Sequence, residues 1–178
     1  MNPISRHLSV LCFFCLIPML VAASSQGKSA SSVATPAPAA ILPLPKSFPP
    51  VSDYADMFSS KTEKKISRML DTYKRQSGLG VMVMTIGSLR GDDINMYADR
   101  VLDASGKHAL LIIARREGKI ALMLDEDLEG RFSQADARRL ISSDIVTHFQ
   151  AGLYDKGIEA AVKTLITTLG TAPLHKSK

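Results

Sequence analysis

Hydrophobic residues follow two rhythms along this chain. From Ser60 onward, Ile66, Met69, Leu70 and Tyr73 recur at intervals of three and four, the period of a helix with one buried face. Ser60 and Glu63 predict a capping box at its start, and Gly78 a left-handed stop at its end. The run "LGVMVMTI" that follows is continuously apolar, short and rich in Val, which predicts a strand buried on both faces. Helical spacing returns after Asp93, a capping residue, with Ile94, Tyr97, Ala98, Val101 and Leu102 on one face. "HALLIIAR" and "KIALML" read as two more buried strands joined by the tight turn "REGK". Ser133 then opens a helix with Ala137, Leu140, Ile141, Ile145, His148 and Phe149 facing inward. A last helix carries Ile158, Ala161, Val162, Leu165, Ile166 and Leu169 up to Gly170.

The resulting order, α-β-α-β-β-α-α, predicts a three-layer α/β/α sandwich around a small mixed sheet. The first two strands and the helix between them form a parallel β-α-β unit, and the third strand returns antiparallel. No internal repeat is visible. The 178 residues suffice for one domain with an ordinary core.

The ends of the chain follow different rules. Residues 1–23 pair a short positive start at Arg6 with an apolar run from Leu8 to Ala22 and small residues at Val21-Ala22-Ala23. This reads as a secretory signal cleaved after about Ala23, implying export to the periplasm or medium. The run is short for a membrane span and holds Pro18, so no transmembrane helix is expected in the mature chain. If uncleaved, it would tether the protein to the membrane. Residues 24–50 are rich in Ala, Ser and Pro, with six of the nine prolines, and read as a disordered linker. The domain is expected over 51–170, and 171–178 form a basic tail.

Charge narrows the partners. Arg6, Lys28, Lys46, Lys176 and Lys178 lie outside 51–170, which leaves 17 basic and 17 acidic residues inside it. The overall charge of +5 is therefore not a nucleic-acid footprint, and no Trp or Arg-aromatic interleaving supports one. Both cysteines, Cys12 and Cys15, fall in the signal, so a mature chain has no disulfide, thiolate nucleophile or cysteine metal ligand.

Candidate chemistry concentrates in "LMLDEDLEGRFSQAD". Asp125, Asp127, Glu129 and Gly130 stand at positions 1, 3, 5 and 6 of a calcium loop, with Ser133 and Asp136 at 9 and 12. Position 5 is Glu, position 12 is the short Asp, and the preceding segment reads as a strand. A looser divalent-cation site is the functional form this pattern allows. The structural alternative is a polar strand exit in which Ser133 and Asp136 form a capping box. A third reading, a nucleophilic Asp125 with Asp127 as acid, meets Glu129 where Thr or Val is usual and sits on an antiparallel strand. Asp53 and Asp56 form a second acidic group that either caps an N-terminal turn or brings Asp53 to Asp127 or Glu129 around one cation. Such clustered carboxylates are what metal-assisted phosphate ester hydrolysis needs. No Ser-His-Asp order, G-x-S-x-G, H-E-x-x-H or phosphate-binding glycine loop occurs. Arg115-Arg116 read as a solvated turn with an anion contact as the alternative, and His148 as a core histidine.

Several separated blocks together resemble the TPM domain family, which includes the thylakoid acid phosphatases. These are Val51-Ser52-Asp53-Tyr54-Ala55, Ser77-Gly78, Ser88-Leu89-Arg90-Gly91 followed by Ile94, Tyr97 and Ala98, then Ala109 to Ala114, Leu128-Glu129-Gly130, and finally Phe149, Gly152, Tyr154, Gly157 and Ile158. The resemblance covers about residues 51–169 and implies the same α/β/α fold. It also implies an exported or membrane-associated protein. Some members are assigned phosphatase activity or divalent-cation binding, and others act as accessory or assembly factors. Lys107-His108-Ala109 and Asp125-Glu126-Asp127 depart from the family pattern, and the glycine-rich tail and C-terminal membrane helix of many bacterial members are absent. The expectation is an envelope accessory or interaction module partnered by an envelope or membrane protein. The alternative is a weak metal-dependent acid phosphatase acting on phosphate monoesters. Asp53, Asp125, Asp127 and Glu129 are the candidate ligands for Ca2+ or Mg2+, and no organic cofactor is expected.

Overall fold

The computed structural model describes residues 9–14 and 41–170. Residues 15–40, which hold most of the linker, and the basic tail at 171–178 lie outside the described residues, as does most of the signal segment. The sheet is built from β1 (Ser9–Phe14), β2 (Val51–Asp53), β3 (Val81–Ile86), β4 (Ala109–Ala114) and β5 (Lys119–Leu124), in spatial order β1-β5-β4-β3-β2. β2, β3 and β4 run parallel, and β5 returns antiparallel through the turn at 115–118. The mixed sheet expected from the apolar runs is present, with two strands more than the runs announce. β2 has only three residues, too few to show a period. β1 pairs antiparallel with the outer edge of β5 and lies within the stretch that reads as a signal.

Five helices cover the sheet: α1 (Ser60–Ser77), α2 (Ile94–Ser105), α3 (Gln134–Arg139), α4 (Thr147–Gln150) and α5 (Tyr154–Leu169). Strand alternation divides the core into two layers. Val81, Val83, Leu111, Ile113 and Leu122 face α1, α5 and the 134–150 segment. Met82, Met84, Leu110, Ile112 and Met123 face α2. This is the three-layer α/β/α sandwich, and every inward residue predicted for α2 is buried.

Local chemistry sets the helix ends. The α1 cap is Ser59, one residue before the Ser60 that the sequence suggested; its hydroxyl accepts from the Thr62 amide at 3.3 Å. Gly78 closes α1 at φ 76°, a conformation that disfavours a Cβ. Asp93 caps α2 by accepting from the amides of Asn95 and Met96. The helix expected from Ser133 through Phe149 departs from a single α-period: Leu140–Val146 widens to a π-helix between α3 and α4. Leu140, Ile141 and Ile145 are fully buried on its inner side. The hydroxyls of Ser142 and Thr147 bond back to the carbonyls of Arg138 and Ser142, taking up carbonyls in the wide turns.

The second layer receives one more element. Residues 41–50, read from composition as the end of the linker, lie as an extended strap against α2, with Leu42 and Phe48 packed on its core. Leu42 N–H donates to Asp92 Oδ2 at 3.1 Å, and the Tyr97 hydroxyl to the Pro43 carbonyl at 3.4 Å. Arg100 ties both ends by donating to the Leu42 carbonyl and pairing with Asp92. No helix among the described residues is long and apolar enough to cross a membrane.

Candidate functional site

Three parallel strands finish at one end of the sheet, the end where crevices form in open α/β folds. Asp53 closes β2 there. Its Oδ2 accepts from the amides of Met57 and Phe58, each at 2.8 Å, and its Oδ1 from the Thr85 hydroxyl. That same hydroxyl accepts from the Ala55 amide at 3.0 Å. Asp53 thus folds residues 53–58 back onto β3, with Ala55 and Phe58 buried beneath the turn. Asp56 takes φ 50° in this turn and is exposed. Arg115 adds a donor to the Ala55 carbonyl at 2.9 Å.

The β3–α2 loop forms the next wall. Glu117, in the β4–β5 turn, accepts through Oε1 from Ser88 Oγ at 2.7 Å and the Leu89 amide at 3.1 Å. Burial pushes the Glu117 carboxyl up, but the bonds from Ser88 and Leu89, with Arg116 nearby, outweigh this and hold it below its ordinary 4.5. The pinned loop places Arg90 at φ 52°, a left-handed backbone that disfavours a side chain with a Cβ. Between this loop, the strap and the β4–β5 turn lies an open groove of about 830 Å3, lined by Lys46, Tyr54, Arg90, Tyr97 and Arg116 among others. A smaller apolar cavity of about 170 Å3 opens on the opposite face beside Met57, Phe149 and Tyr154.

The acidic stretch sits elsewhere. Its backbone forms a 3-10 turn over Glu126–Arg131, entered through the Asp125 amide, which donates to the His108 carbonyl at 2.8 Å. Leu128 and Phe132 are buried and anchor the turn, whereas Asp127 is exposed. Ser133 and Asp136 form the capping box of α3, with the Ser133 hydroxyl 2.6 Å from Asp136 Oδ2. The bonds from Ser133 hold the Asp136 carboxyl below its ordinary value. The two residues that would fill the last positions of a calcium loop are thus engaged with each other.

Register keeps the acidic groups apart. Asp53 stands beside Thr85, and Thr85 beside Ile113. Leu124, after which the acidic turn begins, stands beside Ala109, and Ala109 beside Val81. Measured along β3, from Thr85 to Val81, this is about 13 Å at ~3.3 Å per residue. The physical reason is direction: β5 is antiparallel, so it exits at the end where β3 and β4 begin. Asp53 and the turn that carries Asp127 therefore lie at opposite ends of the sheet. Among the described residues no group of three or more His, Cys, Asp or Glu is placed to hold a metal.

The remaining candidates have structural partners. His108 Nδ1 accepts from the Gly80 amide at 2.9 Å. His148 is half-buried, and its Nδ1 donates to the Asp144 carbonyl at 2.9 Å. Gly157 lets α5 approach the Phe149 ring, which would stand 2.9 Å from an added Cβ. That ring meets Tyr154 edge to face at 5.0 Å. Among the groove cations, Lys46 was missed by sequence reasoning because it belongs to a segment with linker composition, whereas Arg116 was read as a turn residue with an anion contact as the alternative. Arg90 gave a signal only as part of the Ser88–Gly91 block.

No curated protein matches the chain. The solution structure of the N-terminal domain of a protein from P. gingivalis superposes with a TM-score of 0.64 at 19% identity, covering 69% of this chain and 83% of that one. The N-terminal domain of cg2496 protein from Corynebacterium glutamicum superposes at 0.54 and 16% identity, covering 72% and 88%. At these identities the likeness speaks for the fold alone. The TPM domain family model matches residues 51–168, from the Asp53 turn to the end of α5. With that match over most of its length, this chain belongs to the TPM domain family.

Proposed function

We propose that this protein is an exported accessory module of the cell envelope that acts by binding a partner protein, without turnover of its own. One observation carries the reading. The carboxylates that metal-assisted ester hydrolysis would need lie at opposite ends of the sheet, and Asp53 already accepts three hydrogen bonds that hold its own turn. Export rests on the pattern of residues 1–23. A cation, if held by the 125–129 turn, serves stability.

The test is an aryl phosphate assay across acid and neutral pH, with EDTA, calcium or magnesium. The expected result is no turnover above the uncatalysed rate. Reproducible hydrolysis, lost on D53A or D127A, would establish the metal-dependent acid phosphatase instead. Thermal unfolding under the same conditions reads the ion separately. A cation at 100 times its Kd adds about 2.7 kcal/mol, a shift that Asp125→Ala/Asp127→Ala would abolish if that turn holds the ion.

A further inference from the structure

The groove at the C-terminal end of the parallel strands concentrates charge in a domain that is otherwise balanced. Lys46, Arg90 and Arg116 all line it, and all three are exposed. Two acids on its flanking loops are committed: Glu117 to Ser88 and Leu89, and Asp92 to Arg100 and Leu42. Its walls mix polar residues, Ser47 and Ser88, with apolar and aromatic ones, from Leu42 and Pro43 on the strap to Tyr54, which is 55% exposed. The Arg90 backbone is held at φ 52° by a loop pinned through Glu117, so its position does not depend on a ligand. The strap is fixed by Asp92, Tyr97 and Arg100, which keeps Lys46 on the rim.

We propose that this groove docks a short, extended acidic segment of a partner protein. Carboxylates would meet Arg90, Arg116 and Lys46, and one apolar side chain would cover Tyr54 and the strap wall. Charge complementarity selects the partner, and the layout selects an extended ligand. The three cations stand on an open rim, where a single ion pair contributes little in water, so affinity needs several pairs together with apolar burial. The proposal rests on the partner-binding reading above and names the kind of partner.

The experiment uses the full chain and a fluorescent octapeptide of alternating Asp and Glu with one central Leu. Anisotropy should show saturable binding that weakens as salt rises from about 0.15 M to about 1 M, where the screening length falls from about 8 to 3 Å. Arg90→Gln and Arg116→Gln should each weaken binding about threefold with unchanged melting temperature, and Lys64→Gln, on the exposed side of α1, should not. Backbone amide shifts on the wild-type chain should gather at 42–47, 86–90 and 116, which tests the site without any variant. The proposal is overturned by no peptide binding, by shifts elsewhere, or by full affinity in both arginine variants. It is also overturned if inorganic phosphate or phosphatidylglycerol vesicles bind as tightly as the peptide. Aryl phosphate turnover would sink the accessory reading alone, whereas loss of peptide binding would sink only the groove.

Discussion

At the end of the sheet where β2, β3 and β4 finish, a single aspartate organises its surroundings; at the end where β5 finishes, a run of acids crowds an exposed turn. Asp53 accepts from two backbone amides and a threonine hydroxyl and carries a six-residue turn. The 125–129 turn is held by Leu128, Phe132 and backbone bonds, with Asp127 left in solvent. Density of charge along the chain therefore points to one end, and structural consequence to the other. A carboxylate matters by what its oxygens bind, and only topology decides that.

The contrast predicts unequal responses to the same substitution. Asp53→Ala strands two amides and a hydroxyl in a partly buried turn, where each lost bond costs about 1 kcal/mol and more if the donor stays dry. The expected loss is about 3 kcal/mol, read from urea unfolding with an unchanged slope. A loss under about 1 kcal/mol would mean the turn is held by burial of Ala55 and Phe58 instead. Gly157→Ala comes next. It forces the Phe149 ring to move and should cost ~2 kcal/mol, as overpacking does. A neutral result would show that the ring swings freely and that its contact with Tyr154 contributes little.

How much of this was legible follows from the length scale of each signal. Ile94, Tyr97, Ala98, Val101 and Leu102 name a helix face from the sequence because a helix repeats its pattern over several turns. β3 and β4 were legible as unbroken apolar runs. β2 was not, since three residues carry no period, and the π-helix at 140–146 was not, since the same Leu140, Ile141 and Ile145 also suit an α-helix. The capping role of Ser133 and Asp136 was readable because it is local. The separation of Asp53 from Asp125 was not: the antiparallel return of β5 was legible, but three residues of β2 could not show that Asp53 closes a parallel strand at the other end of the sheet. Lys46 was hidden for a different reason: a segment of linker composition is anchored by two apolar residues, Leu42 and Phe48, that composition averages away.

Acid sharpens the comparison further. Glu117 is held below its ordinary 4.5 in the folded protein. A depressed carboxyl contributes stability that is complete above its unfolded pKa and disappears as pH falls through the folded value. Stability should thus decline below about pH 4.5, and Glu117→Gln should flatten part of that decline by lowering neutral-pH stability, with parent and variant converging in acid. The effect is small, because the group is partly exposed and solvent screens it. An unchanged acid limb in the variant would assign the decline to Asp136 and Asp155, whose carboxyls are likewise held down, by the Ser133 hydroxyl and the Ser59 amide in the first place.

The smallest expected effect is the most diagnostic. Asp127→Ala removes an exposed carboxylate from a turn whose anchors are apolar, so stability in EDTA should stay within about 0.5 kcal/mol of the parent. Removing a like charge beside Asp125 and Glu126 could even raise it slightly. If calcium stabilises the parent and not the variant, the acidic turn binds an ion on its own, without Asp53. If calcium moves neither, the crowd of acids is a solvated strand exit, and the contrast with Asp53 is one of structural consequence alone.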